Sequence, residues 1–242
     1  MSKDIAVVTG ASGGIGRAVA LMIHAKSDGA LRLGLHYNGN QSAAEALSKE
    51  IPGSFIVKAN LSTTEGRKVL LDNVLKEGNP YVLVNNAGVD KPHEPALLIQ
   101  EESFDALIDT NLKGPAFLMK SFGREMMRNE AGVIVNVSSV LARKTVVGSA
   151  LYRASKAALE ALTKQFAFEL GGGGVRVNAV SPGFIETSMT AGIEGGVRDK
   201  IMPQIALARF GSAEAVAETV WHLIESDYIN GAVVAVDGGM NL

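Results

Sequence analysis

Immediately after an apolar run, Ile5-Ala6-Val7-Val8, the chain reads Thr9-Gly10-Ala11-Ser12-Gly13-Gly14-Ile15-Gly16 and then enters a helical pattern that begins Arg17-Ala18-Val19-Ala20. A strand, a glycine-rich turn and a helix in that order constrain this chain more than any other stretch. The glycines let the backbone turn sharply and approach a ligand closely, while the free N–H groups and positive dipole end of the helix receive negative charge. The spacing Gly10-x-x-x-Gly14-x-Gly16 lacks the Lys-Ser/Thr that would follow in a nucleoside-triphosphate loop, so a dinucleotide pyrophosphate is the anion that fits.

Further apolar runs follow at Arg32–Leu35, Ser54–Val57, Val82–Val84, Val133–Val135, Val175–Val177 and Ala232–Val236. Most are continuously apolar rather than alternating, the pattern of a parallel sheet covered on both faces. The segments between them carry helical spacing: Ile15–Ile23, Ala43–Ile51, Arg67–Leu75, a long piece from 103 to 127, another from 151 to 170, and Val216–Ile224. The expected architecture is therefore a Rossmann-type, doubly wound α/β fold with a seven-stranded parallel sheet, one domain over residues 1–242. The run Gly171-Gly172-Gly173-Gly174 reads as a helix stop rather than a domain boundary. The stretch from Glu186 to Arg209, interrupted by Gly192, Gly195, Gly196 and Pro203, reads as a lid.

Composition narrows the chemistry. The chain has no cysteine, which removes disulfides, thiol nucleophiles and thiolate metal sites. His24, His36, His93 and His222 lack metal-ligand spacing, so no metal site is expected. A net charge of −2 gives no electrostatic reason to bind nucleic acid or an anionic membrane. No secretory signal or membrane-spanning run is evident, so a soluble, cytoplasmic protein is expected.

The glycine turn resembles that of the short-chain dehydrogenase/reductase family, and motifs along residues 3–242 fall in the family's order: Asn85-Asn86-Ala87-Gly88, then Asn111, Ser139, Tyr152-x-x-x-Lys156, Pro182-Gly183 and Thr187. This resemblance implies an oxidoreductase with Asn111, Ser139, Tyr152 and Lys156 as catalytic residues. It implies a cofactor site built from Gly10, Ser12, Gly14, Ile15, Gly16, Tyr37, Asn38, Asn60, Leu61, Asn86, Ala87, Gly88, Tyr152, Lys156, Pro182, Gly183, Ile185 and Thr187.

Tyr152 and Lys156 lie four apart, one turn apart on one helix face. A nearby ammonium and an oxidised nicotinamide are expected to lower the phenol pKa. In the role that the resemblance implies, Tyr152 protonates a carbonyl oxygen as hydride arrives at carbon, Ser139 hydrogen-bonds that oxygen, and Lys156 holds the nicotinamide ribose. Two serines compete here, and the family's separation of thirteen residues from the tyrosine selects Ser139. Ser138 is expected to bond to backbone. Pro115 cannot donate to the carbonyl of Asn111, which leaves that carbonyl free. In the family it holds a water that extends a proton relay.

No carboxylate stands at the end of the second strand, Leu35-His36-Tyr37-Asn38-Gly39-Asn40, where one usually reads the ribose hydroxyls of NAD. NADP(H) is thus expected over NAD(H), although Gly13 occupies the place of a basic residue that many NADP users carry. Asn60-Leu61 stands where the family commonly has an aspartate and an apolar residue, at the adenine amino group.

Within the family, Asp109 to Gly114, Asn178 to Gly183 and Asp237 to Met240 most resemble the 3-oxoacyl-[acyl-carrier-protein] reductases. The expected substrate is a 3-oxoacyl thioester, small or carried on acyl carrier protein. Two basic positions by which such reductases recognise their carrier appear here as Glu130 or Ala131 and as Gly173, while Lys120, Arg124 and Arg128 form a substitute basic trio. The alternatives are a sugar or polyol as substrate, or a non-catalytic dinucleotide-binding scaffold. Apolar rows Phe117, Leu118, Phe122, Met126 and Leu159, Leu162, Phe166 exceed what one sheet face needs to bury, and since the family pairs these helices across a two-fold axis, the resemblance implies a homotetramer, a dimer of dimers.

Overall fold

A computed structural model describes residues 4–90, 93–187, 190–192 and 195–242. Seven strands, β1 (Asp4–Val8), β2 (Leu31–Tyr37), β3 (Phe55–Lys58), β4 (Asn79–Asn85), β5 (Gly132–Val137), β6 (Val175–Pro182) and β7 (Val233–Val236), form one sheet. Every pairing is parallel and the order is β3-β2-β1-β4-β5-β6-β7. The chain winds outward from β1 to β3, then crosses to β4 and winds the other way. The connections that leave β1 and β4 run in opposite directions, and a crevice opens between them at the carboxyl edge of the sheet.

Ile5 and Val7 pack into one apolar cluster and Ala6 and Val8 into another, so β1 is buried on both faces. That is why its run is continuous in the sequence. Residues of α1 (Gly14–Lys26), α2 (Gln41–Glu50) and α8 (Ala213–Glu225) build one cluster. Those of α3 (Thr64–Glu77), α5 (Gly114–Arg128) and α6 (Ala150–Gly171) build the other.

The piece from 103 to 127 is not one helix. It divides into α4 (Glu101–Ile108), a π turn over Asp109–Lys113, and α5. Pro115 supplies the reason, since it lacks an N–H and its ring clashes with the carbonyl four residues back. Gly114 donates instead to Asp109, five residues back. The glycine run ends α6 at Gly171, and Gly174 (φ +77) leads into β6, as expected of a helix stop. Residues 186–209 hold a short helix, α7 (Gly196–Ile201), and a 3-10 turn; 188–189 and 193–194 lie outside the described residues.

The apolar rows expected to remain for assembly are mostly consumed within the chain. Leu118, Phe122, Met126 and Leu159 are fully or almost fully buried beneath the sheet, and of the α5 row Phe117 alone is exposed. Among the described residues, no helix is long and apolar enough to cross a membrane.

Candidate active site

The turn after β1 is shaped by what stands behind it. Gly10 (φ +65) has room for no side chain, because a Cβ would lie 3.0 Å from Ala87 Cα and from Asn86 Nδ2. Gly16 is tighter still: its Cβ would meet the Gly10 carbonyl oxygen at 2.3 Å. Asn86 Nδ2 donates to the carbonyls of Thr9 (2.9 Å) and Gly10 (3.1 Å), while Thr9 Oγ1 accepts from the N–H groups of Asn86 and Ala87 at 2.9 and 3.0 Å. The two strand ends that flank the crevice are thus pinned to each other. Helix α1 starts at Gly13 with no capping side chain and no acid in its first turn, so its first N–H groups are left for an anion.

On the far side of the crevice, α6 presents Tyr152 and Lys156. Lys156 is buried, its Nζ donates to the Val137 carbonyl at 2.7 Å, and Nζ lies 5.7 Å from the centre of the Tyr152 ring. Ser139 follows β5 and its Oγ accepts from the Leu141 N–H at 3.2 Å. Burial pushes Tyr152 up to about 12; its hydrogen bond with Ser139 acts against that rise and the charge of Asp90 adds to it. Burial also brings Lys156 down to about 8. In the protein alone, desolvation outweighs the other influences and raises the phenol, so the lysine by itself does not bring the lowering expected of lysine and oxidised nicotinamide together.

Asn111 sits in the π turn, fully buried. Its side chain grips the backbone of Val89 from both sides, Oδ1 accepting from the N–H at 2.8 Å and Nδ2 donating to the carbonyl at 2.6 Å. The loop after β4 is thereby held beside Lys156, whose Nζ would lie 3.7 Å from a Cβ on Gly88.

A cleft of about 310 Å³ brings together Gly10, Ser12, Gly14, Ile15, Asn86, Ala87, Gly88, Ser139, Tyr152, Lys156, Pro182, Gly183, Ile185 and Thr187. Gly16, Tyr37, Asn38, Asn60, Leu61 and Asn111 are outside its wall. Gly16 packs behind the turn, Tyr37 is buried at the end of β2, and Leu61 is buried with its carbonyl accepting from Arg67 at 2.8 Å. Asn38 is exposed just beyond β2. The Oδ1 of Asn60 accepts from the N–H and the hydroxyl of Ser62 at 3.1 and 2.8 Å, shaping the turn into α3. Arg17 is engaged by Glu50 at 2.7 Å rather than free for a phosphate.

Ser138 makes its expected backbone bond and a shorter one to a side chain besides. Its Oγ donates to Glu160 Oε1 at 3.0 Å, with the Lys156 carbonyl more distant at 3.4 Å, and Glu160 also pairs with Arg143 at 3.1 Å. This buried tie between the loop after β5 and the Tyr152 helix escaped the sequence reading, although Glu160 stands two helical turns after Tyr152. Thr190 also lines the cleft; its Oγ1 accepts from the Thr187 N–H at 3.0 Å and donates to the Ile185 carbonyl at 2.5 Å. Beside it, Arg198 bonds Glu186 at 2.5 Å and stacks 4.2 Å from the centre of Phe210, fastening the segment that leaves β6.

A doubly wound sheet with a dinucleotide-shaped turn on one side of its crevice and a half-buried tyrosine with a buried serine and lysine on the other defines a nicotinamide-dependent oxidoreductase. A family model described as enoyl-(acyl carrier protein) reductase matches residues 10–241. The chain is 38% identical to a 3-oxoacyl-[acyl-carrier-protein] reductase of Staphylococcus aureus, over 99% of this chain and 98% of that one. It is 36% identical to the Thermotoga maritima protein of the same name, again over 99% and 98%. A solved structure of a short chain dehydrogenase/reductase family protein superposes with a TM-score of 0.88 at 31% identity, covering 100% of this chain and 99% of that one. The chain belongs to the short-chain dehydrogenase/reductase family.

Proposed function

We propose that this protein reduces the 3-keto group of an acyl thioester with NADPH, and the observation that carries the reading is the Ser139–Tyr152–Lys156 group brought together in the dinucleotide crevice. The uncapped start of α1 and the side-chain-free turn at Gly10 suit a pyrophosphate, and the reduced nicotinamide supplies the hydride when bound. Ser139 orients the carbonyl oxygen. Tyr152 is protonated at neutral pH, as a phenol is at its ordinary value and more firmly so when desolvated, and it gives that proton to the oxygen as charge develops there. Lys156, fixed by Val137, would hold the ribose of the bound cofactor and stands behind the tyrosine, and Asn111 keeps the loop after β4 in register.

The acyl thioester is supported by the names of the relatives and by an apolar hollow of about 580 Å³ beside the catalytic loop. Pro95, Ala96, Val146, Val147 and Ala150 contribute to its walls and Arg153 stands among them. NADPH is favoured by a β2 end without a carboxylate. The segment 186–209 acts as a lid over the cleft of a single-domain, cytoplasmic enzyme that assembles as a homotetramer, a proposal that rests on the family resemblance rather than on the buried apolar rows.

The test is turnover of an acetoacetyl thioester with each reductant, beside polyols with each oxidised cofactor and an enoyl thioester. The reading requires NADPH-dependent loss of the keto group. Silence on the thioester with activity on polyols would overturn it, and enoyl reduction alone would favour the reaction named by the family model.

A further inference from the structure

Among the described residues, His36 is the buried histidine, 2% exposed, and its ring stands between backbone groups of two other elements. The N–H of Gly10, the first glycine of the turn, donates to Nδ1 at 3.0 Å. On the other side Nε2 lies 2.9 Å from the carbonyl oxygen of Ala59, just beyond β3. A carbonyl only accepts and the Gly10 N–H only donates, so the ring carries its single proton on Nε2. Burial lowers its pKa and holds it neutral, with no charged side chain contributing to the shift.

The same residue's carbonyl accepts from the Ala11 N–H at 2.9 Å. Two successive amides of the turn are therefore tied to residue 36, while Asn86 holds the Gly10 carbonyl from the opposite side. Gly10 has positive φ and no side chain, so its own conformational preference does little to orient this peptide. The imidazole does.

We propose that His36 is a positioning residue for the cofactor: the Ala59 carbonyl selects the neutral Nε2–H tautomer, which leaves Nδ1 to accept the Gly10 N–H, and that bond fixes the turn that receives the dinucleotide pyrophosphate. It acts through the turn and not on the reacting atoms. The inference rests on the cofactor being a nicotinamide dinucleotide and is independent of the acyl substrate.

Two substitutions separate the ring's contacts. His36→Asn places an amide group where Nδ1 stands and keeps an acceptor for Gly10, whereas His36→Gln reaches Ala59 and leaves Gly10 without one. Both variants and the wild-type protein are titrated with NADPH and with NADH in the absence of a carbonyl substrate, then assayed for turnover. H36Q is expected to weaken the Kd and raise the KM of the cofactor by about tenfold, with kcat at saturation within about twofold of wild type and H36N close to wild type throughout. Unchanged cofactor binding in H36Q, equal weakening in both variants, or a fall in kcat without a change in KM would overturn the proposal. Ring nitrogen shifts of the wild-type protein give a check that needs no variant: an Nδ1–H tautomer overturns the bridge. A wild-type protein that binds neither reductant overturns the dinucleotide reading itself, a result distinct from normal binding that H36Q leaves intact.

Discussion

Lys156 shows how a single side chain can serve the chemistry while opposing the fold. Its ammonium is buried with the Val137 carbonyl as its hydrogen-bond acceptor, and desolvation brings its pKa from the ordinary 10.5 down to about 8. A cation with a lowered folded-state pKa binds protons less readily than in the unfolded chain. The destabilisation is present in full below pH 8 and is relieved as pH rises from about 8 to 10.5. Lys156→Met is accordingly expected to abolish turnover yet raise Tm by about 5 °C at neutral pH, the gain shrinking toward pH 10 in thermal melts. Tyr152, Ser139 and Lys156 were legible because short fixed separations along the chain carry them. His36 and Ser138 were not, since their partners, Gly10 and Glu160, lie 26 and 22 residues away on other elements. The desolvation of Tyr152 was not legible either, because spacing reveals a neighbouring charge and says nothing of how much water the fold removes.

Among the elements, the strand-turn-helix unit at β1 and α1 was readable in full, since continuous apolar residues, glycines and helical spacing follow one another without interruption. The reason Gly16 must be glycine was not readable, because it packs against a carbonyl six residues earlier. Gly16→Ala is expected to cost about 1–3 kcal/mol in denaturant unfolding and to weaken cofactor binding, since the added carbon forces the turn outward. The break between α4 and α5 was announced by Pro115, but its form as a π turn depends on how Asn111 is needed against Val89. The tie from Glu160 to Ser138 joins the loop carrying Ser139 to the helix carrying Tyr152. Glu160→Ala is expected to lower kcat about tenfold with cofactor Kd unchanged, because a small misplacement between proton donor and oriented carbonyl is costly. Equal kcat in stopped assays would show that the tie is dispensable.

For the whole molecule, parallel topology and sheet order place every chemical group at one edge, where the connections from β1 and β4 turn opposite ways. The seven apolar runs and the helices between them were enough to anticipate this arrangement, whereas the fate of the α5 apolar row depended on how deeply α5 settles against the sheet. With that row buried, Phe117 and Met127 on α5 and Phe168 on α6 are the large apolar side chains that these two helices leave exposed. A tetramer is expected by light scattering at micromolar concentration, and Phe168→Lys is expected to shift the mass downward if α6 faces a second copy. The account as a whole turns on the proton that Tyr152 holds. The most direct measurement is Tyr152→Phe assayed with an acetoacetyl thioester and NADPH while cofactor binding is followed separately: the account predicts a loss of turnover of at least about 10³-fold with cofactor Kd nearly unchanged. Turnover at the wild-type rate in that variant would contradict it.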